Sequence, residues 1–438
     1  MILITNAALI TGDSLNPFIP DGAMVIEGAK IKEVGKTAEL IEKYKENEVL
    51  DAKGAVVTPG LVNAHMHLYS SFARGMPYPK EAPENFVEIL EKVWWKLDKA
   101  LTPDDVYLSA MVGLMESAKW GVTTVIDHHS SPNAISGSLN LISDALKEVG
   151  MRGVLCYEVS DRDGDTSREA GIKENADFIS SVNGKSDDLA GLFGLHASFT
   201  LSDKSLDSAL EANSGNGFHI HVGEDRFDLE DSIRKYNVGV VQRLSEKGLL
   251  SEKSIAAHCV YLVDGDVELL KKSGALVTHQ PQSNANNGVG RAGVPDLLKN
   301  GVRIALGTDS YTNNILEEAH FALLNHDKQN NGPLNVDDLR MILSENACAV
   351  SGYLGVKLGI IKAGAEADIL MYDYDSPTPV NSENAYAHLF YGLRGEHPRN
   401  VMIKGEFIVK DYNLVSINEE EILEKSRRAS KELWERIN

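Results

Sequence analysis

Two histidines separated by one residue close the first of several short apolar segments. His65 and His67 stand at the end of GLVNAHMH, which begins at Gly60. In a β-strand, side chains two residues apart point to the same face, so both imidazoles can reach one ion. Two packed or solvated histidines give the same pattern, so the pair alone is weak evidence. Further ligands must come from other segments.

Two later segments supply further ligands for a divalent metal. His221 lies in GFHIHVGE, and Asp309 lies in GTDS. Three imidazoles and one carboxylate suit zinc or ferrous iron, with one position left for water. We expect one divalent ion, zinc in preference to iron, on His65, His67, His221 and Asp309. Such an ion lowers the pKa of bound water from 15.7 to roughly 7, which makes hydroxide available as a nucleophile.

Residues that follow the ligand strands are predicted to transfer protons. Glu224 comes three residues after His221, where a carboxylate can take a proton from water and pass it to a leaving group. His258, in SIAAHCV, is expected to polarise a ring nitrogen or carbonyl or to hold the hydroxide, while Asp309 shares the proton transfer. The alternatives are a solvated loop carboxylate for Glu224 and a packed core histidine for His258.

Substrate recognition is expected from loops at the mouth of the site. The side chains predicted to offer hydrogen bonds or positive charge to a ring are Tyr69, His128, Arg162, His196 and Gln282. Arg162 has an alternative role, an ion pair with Asp161, Asp163 or another acid.

Several neighbouring side chains are given mainly structural roles. We expect His219 to point to the opposite face from His221 and to support the fold. Trp94 and Trp95 are predicted to pack in the core rather than to stack on a flat ring. His279 is compatible with either pocket lining or buried packing.

The elements that would position these residues alternate as βα units. Eight short apolar segments, separated by stretches of helical periodicity, predict parallel strands, and polar residues close nearly all of them. The segments begin at Gly60, Thr123, Gly153, Leu189, Gly217, Ser254, Gly274 and Val302. The pattern predicts an α/β protein with a (β/α)8 TIM-like barrel, whose active site lies at the C-terminal ends of the strands.

Both ends of the sequence have a different pattern. Short β-rich runs with Gly and Asp turns precede the barrel segments, and period-two alternation returns after Val356. We therefore expect a small β-sandwich domain from residues 1–57 and 357–417, and a barrel over residues 58–356. Residues 418–438 are expected to form an amphipathic C-terminal helix.

The composition limits the partners and the compartment. The 438 residues carry 43 Lys and Arg against 64 Asp and Glu, a net charge of −21, which disfavours nucleic acid and anionic membranes as partners. Three cysteines without a CxxC motif indicate a reducing compartment. We find no leader-like segment and no apolar run of about 18 residues. A cytoplasmic protein is therefore expected.

The motifs together resemble a known family. AVVTPGLVNAHMH, HVGE, AHCV, PQSN, GTDS and KAGAEADIL are similar to motifs of the amidohydrolase superfamily, in its cytosine deaminase, guanine deaminase and chlorohydrolase-like branch. Within that branch, HMHLYSSFARGM, ENFVEILEKVWWKLDKAL, DHHSSPN and YEVSDRDG resemble the aminohydrolases named SsnA. The resemblance implies the same four metal ligands, the same roles for Glu224 and His258, and a substrate-facing His196.

One departure from the family pattern bears on the metal count. Binuclear amidohydrolases carry a carboxylated lysine at the end of the fourth strand, whereas GLFGLHASFT contains no lysine. A single ion is therefore expected.

The predicted function is a metal-dependent aminohydrolase. A hydroxide on the metal would attack a small aminated N-heterocycle, purine-like or pterin-like, and release ammonia. Two alternatives stay open. One is hydrolysis of another C–N or C–Cl bond, in a chlorohydrolase-like or cyclic amidase reaction. The other is a catalytically silent binding protein. A homodimer is consistent with the resemblance.

Overall fold

The computed structural model describes residues 1–325 and 332–437. The strands in this part are β1 (Ile2–Ile10), β2 (Phe18–Glu27), β3 (Lys30–Lys36), β4 (Glu48–Asp51), β5 (Val56–Pro59), β6 (Leu61–Met66), β7 (Val122–His129), β8 (Arg152–Tyr157), β9 (Leu189–Gly191), β10 (Phe193–Ala197), β11 (Phe218–Val222), β12 (Ile255–His258), β13 (Leu276–His279), β14 (Arg303–Leu306), β15 (Ile369–Tyr372), β16 (Asn400–Ile403), β17 (Glu406–Lys410) and β18 (Asn413–Leu414).

Helices connect most of these strands. They are α1 (Thr37–Lys43), α2 (Phe86–Ile89), α3 (Trp95–Ala100), α4 (Pro103–Lys119), α5 (Ser138–Val149), α6 (Gly164–Val182), α7 (Asp203–Ala212), α8 (Arg226–Tyr236), α9 (Val240–Glu246), α10 (Asp266–Ser273), α11 (Pro281–Asn287), α12 (Val294–Lys299), α13 (Ile315–Leu324), α14 (Val336–Leu354), α15 (Ala385–Ala387) and α16 (Glu419–Ile437). Short 3-10 turns cover Leu68–Ala73, Ser198–Thr200 and Leu393–Gly395, and π turns cover Leu90–Trp94 and His388–Gly392.

The strands from β6 to β14 form a closed parallel barrel. Parallel pairing runs from β6 to β9 and from β10 to β14. Bridges between Val159 and Leu195 and between Met66 and Asp309 join the two arcs. Because β9 and β10 continue one another on either side of Leu192, they count as one barrel strand. The predicted (β/α)8 barrel is therefore confirmed.

The barrel helices begin and end where the sequence provides caps. At the start of α4, the Thr102 side chain and Asp105 form a reciprocal capping box, which satisfies two of the unpaired N–H groups at that end. Helix α14 has the same device at Asn335 and stops at Gly355, whose φ is 70°. Glycine adopts this left-handed conformation without strain, so the helix terminates there.

The two ends of the chain form one nine-stranded sheet. Strand β5 pairs in parallel with β1 and antiparallel with β15, so that Val57 faces Met371. Strands β16, β17 and β18 extend the sheet on one side, and β2 and β3 extend it on the other. A separate apolar cluster that includes Met24, Ile369 and Met402 is buried against it. The expected pairing of the terminal segments is observed, while the exact domain limits remain predictions.

A buried ion-pair network joins the barrel to this sheet. Arg152, at the start of β8, is fully buried. Its Nε atom lies 3.0 Å from Asp368, its Nη2 atom 2.8 Å from Glu366 and its Nη1 atom 3.0 Å from Asp188. Glu366 and Asp368 belong to the segment that leads into β15, so one guanidinium connects the N-terminal end of the barrel to the C-terminal strands.

The last helix packs on the outside of the barrel. Helix α16 buries Leu433, and the Trp434 indole N–H donates a hydrogen bond to the Phe72 carbonyl at 2.9 Å. The expected amphipathic helix is observed, and its predicted last residue, 438, lies outside the described residues. Among the described helices, none is long and apolar enough to cross a membrane.

Candidate active site

The four predicted metal ligands meet at the C-terminal end of the barrel. The Nε2 atoms of His67 and His221 lie 3.4 Å apart. The Asp309 Oδ1 atom is 3.2 Å from Nε2 of His67 and 3.9 Å from Nε2 of His65. All four side chains are buried. The barrel therefore brings together residues from its first, fifth and eighth strands, as the strand-end pattern predicts.

Hydrogen bonds fix which ring nitrogen each ligand histidine presents. The three Nδ1 atoms are held by the His219 ring, the His128 carbonyl and the His196 carbonyl, at 2.8, 2.5 and 2.8 Å respectively. The Nε2 atoms consequently point toward one another, and within the described residues His65 Nε2 has no hydrogen-bond partner. Oriented imidazoles with a free nitrogen, together with a carboxylate, suit a divalent ion. The histidine-rich site thus fits a metal.

Close backbone contact places Asp309 beside the first strand. Its N–H donates to the His65 carbonyl at 3.0 Å, and the His67 N–H donates to the Asp309 carbonyl at 3.3 Å. A Cβ atom on Gly307 would lie 2.7 Å from the His65 carbonyl oxygen, so this approach requires glycine. Asp309 itself has a φ of 57°. Non-glycine residues pay for this left-handed conformation with strain, which is common at functional sites.

The Asp309 carboxylate favours a positive charge beside the His67 imidazole. Burial alone would raise the pKa of Asp309, but the hydrogen bond and charge of His67 hold that pKa below its usual value. Burial opposes protonation of His67, yet its contact with Asp309 raises its pKa to about 9. A proton or a divalent ion can supply that positive charge.

Glu224 and His258 lie next to the ligands. The His258 Nε2 atom is 3.5 Å from Glu224 and 3.9 Å from Asp309, and its Nδ1 atom is 2.8 Å from the Asn284 side-chain oxygen. Burial raises the pKa of Glu224 to about 7, which suits a group that must both accept and release a proton near neutral pH. The structure places all three predicted catalytic side chains in one cavity.

Two of the five predicted substrate-binding residues line that cavity. Tyr69 and His196 face it, together with aromatic side chains of the first loop. His128 is instead enclosed by the barrel and fully buried. Its Nε2 atom lies 3.1 Å from the His219 carbonyl, so the expected direct contact with substrate is corrected. Burial lowers the pKa values of His128 and His196 to about 3.

Arg162 and Gln282 do not line the cavity either. The Arg162 guanidinium pairs with Asp98 and, at 3.3 Å, with Asp163. It also lies 5.2 Å from the centre of the Trp95 ring. The ion-pair alternative therefore describes Arg162 in this structure, and its contact with substrate stays a prediction. Gln282 lies in α11, where its N–H donates to the buried Glu318 carboxylate at 2.9 Å, so its backbone anchors the helix.

One structural expectation near the site is also corrected. His219 and His221 are two residues apart in β11 and therefore share a face, and the His219 ring contacts His65 inside the barrel. The expectation that His219 faces the other way is wrong. Trp94 and Trp95 pack against the apolar side chains of Phe86 and Leu90, as expected, and their rings also line the cavity.

Sequence reasoning missed several polar residues of the cavity. The additional lining side chains are Asp98, Glu158, Ser283, Asn287 and Tyr311. Glu158 directly follows β8, so inspection of the third strand end could have found it. Ser283 belongs to the PQSN motif and donates a hydrogen bond to Asp309 at 2.5 Å. Asp98 lies in α3, where the sequence carries no comparable signal.

Comparisons with known proteins identify the family of the chain. Residues 56–408 match the model of the amidohydrolase family. The chain is 31% identical over 445 residues to a 5'-deoxyadenosine deaminase of Methanosarcina mazei, covering 100% of this chain and 99% of that one. It is 30% identical to a 5-methylthioadenosine/S-adenosylhomocysteine deaminase of Pelotomaculum thermopropionicum, covering 99% of both chains.

Solved structures show the same fold at lower identity. A zinc-bound adenosine deaminase from Xanthomonas campestris superposes with a TM-score of 0.84 at 19% identity, over 99% of this chain and 98% of that one. A zinc complex of atrazine chlorohydrolase from Arthrobacter aurescens gives 0.82 at 21% identity, over 98% and 100%.

The family prediction and the predicted class, a hydrolase of carbon–nitrogen bonds, are confirmed by the family match and the deaminase relatives. The finer resemblance to the SsnA group stays a prediction. From the family match over most of its length and its full-length relatives, the chain belongs to the amidohydrolase family.

Proposed function

We propose that the protein is a metal-dependent aminohydrolase that removes ammonia from a small purine-like heterocycle. The main support for this proposal is that the four proposed metal ligands lie close to Glu224 and His258 at one buried cavity. The deaminase names of the full-length relatives favour a purine-like ring over a pterin-like one. We further propose that the enzyme acts in the cytoplasm, and a homodimer remains our expectation.

We propose one zinc ion on His65, His67, His221 and Asp309. The nitrogen-rich ligand set favours zinc or iron over magnesium or calcium, and zinc is named in the related adenosine deaminase structure. When bound, the ion supplies a nucleophile at neutral pH by lowering the pKa of water, and it stabilises developing negative charge. The ring hydrogen bonds of the three histidines would hold their Nε2 atoms in place for it.

Glu224 is the proposed proton shuttle. Its carboxylate accepts a proton from the attacking water and delivers it to the nitrogen as the C–N bond breaks. The side chain is well enclosed, and its pKa of about 7 keeps both protonation states accessible. Asn287, whose side chain lies 3.4 Å from Glu224 Oε1, limits the rotation of the carboxylate.

His258 is proposed to hold the attacking water in line. Its Nδ1 atom is committed to Asn284, and within the described residues its buried Nε2 atom has no hydrogen-bond partner. That nitrogen lies within 4 Å of the carboxylates of Glu224 and Asp309. It is thus placed to hydrogen-bond either the water or the developing oxyanion. The φ of 73° at His258 directs the ring there.

The aromatic side chains at the mouth would bind the ring and exclude water. Phe86, Trp94 and Trp95 line the same cavity as the polar groups. Flat apolar surfaces of this kind bind heterocycles by stacking, and a closed apolar wall strengthens the electrostatic interactions within.

The test is ammonia release from zinc-reconstituted protein across aminopurines, aminopyrimidines and aminopterins. The matched variant is Glu224→Gln, with metal content measured for both proteins. The proposal is supported if the wild-type protein releases ammonia from a purine and the variant, at full metal content, releases it about 10² to 10⁴-fold more slowly. Halide release or ring opening would instead support the chlorohydrolase-like or cyclic amidase alternative. No turnover with metal bound would favour a binding protein.

A further inference from the structure

Glu158 is a nearly buried carboxylate that faces the cavity without a strong partner. Its side chain is 5% exposed and lines the cavity. The nearest basic atoms are His128 Nδ1 at 3.3 Å and His196 Nε2 at 3.9 Å. In the described part of the chain, its carboxylate has no hydrogen bond to a backbone N–H and no ion pair with lysine or arginine. A carboxylate enclosed in this way is costly unless a donor satisfies it.

The backbone around Glu158 holds the carboxylate in a fixed position. The Glu158 N–H donates to the His129 carbonyl at 2.7 Å, and the Val159 N–H donates to the Gly194 carbonyl at 3.2 Å. These bonds tie the residue to the second and fourth barrel strands. Groups supported on both sides by strands are positioned more exactly than groups on free loops. Glu158 is therefore set at a defined distance from the metal ligands.

The charges around the cavity are unbalanced. Among the described residues that line the cavity there are four carboxylates and neither lysine nor arginine. The four are Asp98, Glu158, Glu224 and Asp309. Asp309 belongs to the metal ligands, and Glu224 to proton transfer. Asp98 accepts hydrogen bonds from Arg162 and from Ser130. Glu158 has no ion pair with lysine or arginine in the described residues, and the charges of Arg162 and His67 act on it only at longer range.

We propose that Glu158 is a specificity-determining residue whose carboxylate binds an N–H-bearing edge of the substrate, other than the leaving amine. The substrate class would be neutral or cationic heterocycles rich in N–H donors. This assignment rests on the proposed function for the identity of the ring. It goes beyond that function because it names the part of the substrate that a second carboxylate recognises.

The chemistry of the site supports this assignment. An N–H donor on the ring would satisfy the carboxylate with a charge-assisted hydrogen bond, which is stronger than a neutral one. A ring that offers only acceptors at this position would leave the carboxylate unpaired. The lone pairs of the carboxylate oxygens would also repel the acceptor atoms of the ring. Sites built on a buried hydrogen-bonding group reject analogues that lack the partner group.

Binding measurements separate this proposal from turnover. We would measure the affinity of zinc-loaded Glu224→Gln protein by calorimetry for two probes, 2,6-diaminopurine, which is rich in N–H donors, and 9-methylpurine, which has none. The same measurement is repeated with Glu158→Gln and Glu158→Ala added. Glu169→Gln, at a side chain that is 73% exposed, is the matched control. Circular dichroism and zinc content verify folding and metal loading.

The expected result is a selective loss. Each Glu158 variant should weaken 2,6-diaminopurine binding by about 10-fold or more, while 9-methylpurine affinity stays within about 2-fold and the control changes neither. Glu158→Gln keeps the size of the side chain, so its loss reports charge. Equal weakening of both probes, or no weakening, would overturn the proposal. A drop in zinc content on Glu158→Gln would also overturn it, because Glu158 would then act as a metal ligand.

The two proposals can fail independently. Ammonia assays on the wild-type protein test the reaction and do not depend on Glu158. A probe-selective loss without ammonia from any substrate would keep the role of Glu158 and reject the deaminase. Ammonia release by the wild-type protein, together with an unchanged ratio of the two probe affinities in the Glu158 variants, would keep the deaminase and reject the role of Glu158.

Discussion

The Nδ1 atom of His65 lies 2.8 Å from the Nε2 atom of His219, so a histidine of the fifth barrel strand orients a proposed metal ligand of the first. The other side of the His219 ring lies 3.7 Å from the Cys156 sulfur. Both histidines are fully buried. The proposed metal site therefore depends on His219, although both ring nitrogens of His219 face other protein groups.

Replacing His219 should weaken metal binding. His219→Ala removes the partner that fixes the His65 ring, and loss of such a partner costs about 10 to 100-fold in metal affinity. Zinc affinity measured by competition with a chelator tests this. His397→Ala, at an exposed histidine, is the control and should leave the affinity unchanged. An unaltered affinity for His219→Ala would mean that the His65 ring is held by packing alone.

Removing the buried arginine should destabilise the whole protein. Arg152→Met leaves Glu366 and Asp368 buried without their guanidinium, and breaking a buried pair of this kind costs about 3–5 kcal/mol. Urea unfolding gives the change in free energy. Arg428→Ala, on the exposed face of α16 with 69% of its side chain exposed, should change it by less than about 0.5 kcal/mol. Equal losses in both variants would argue against the network.

Stability should fall as the pH rises toward neutrality because of Asp228. Burial raises the pKa of Asp228 from its ordinary value near 3.8 to about 7. Between these values the folded state holds a proton that the unfolded state has released. The free energy of unfolding therefore decreases with pH across this window, by at most about 1.4 kcal/mol per pH unit for one proton.

The Asp228 contribution can be isolated by difference. Asp228→Asn should reduce the pH dependence of urea unfolding between about pH 4 and 7 by the share of one proton, although one of the two N–H groups of Gly223 and Phe199 that it binds loses its acceptor. The share of Asp127, whose pKa burial also raises to about 7, should remain. Glu230→Gln, at an exposed position of the same helix, should retain the wild-type slope. A wild-type slope in Asp228→Asn would contradict the role of Asp228.

Truncating Trp95 should weaken substrate binding more than turnover. The ring lines the cavity, and stacking of a base on an aromatic side chain contributes about 1–3 kcal/mol. Trp95→Ala should raise KM by about 10-fold or more, whereas Trp95→Phe, which keeps a flat face, should recover most of the loss. Steady-state kinetics on the best substrate of the ammonia panel decide it. A fall in kcat alone would indicate a positioning role.

The barrel and the convergence of the proposed metal ligands are predictable from the sequence because both follow from local spacing. Parallel strands end at one face of the barrel, so histidines at the ends of the first and fifth strands can meet there, and His65, His67 and His221 do. Asp309 follows the same rule. Its left-handed backbone and the need for Gly307 were not predictable, because they arise from contact with a strand more than two hundred residues earlier.

The substrate side of the cavity was less predictable. Arg162 lies in a loop and its partner Asp98 in a helix 64 residues earlier, so spacing alone could not choose between a substrate and an ion pair. The sequence predicts His128 in a loop at the mouth, yet it belongs to β7 and points into the barrel. Residues two apart in a strand share a face, so His219 and His221 lie on one face of β11.

The pairing of β5 with β15 has a consequence for synthesis of the chain. The first five strands leave the ribosome long before the residues of β15 to β18 have been made, so β5 keeps an open hydrogen-bonding edge throughout translation of the barrel. Open edges recruit other chains, and incomplete domains are prone to such misassembly. A nascent chain that stalls within the barrel would therefore carry an incomplete N-terminal sheet whose unpaired edge can bind other chains.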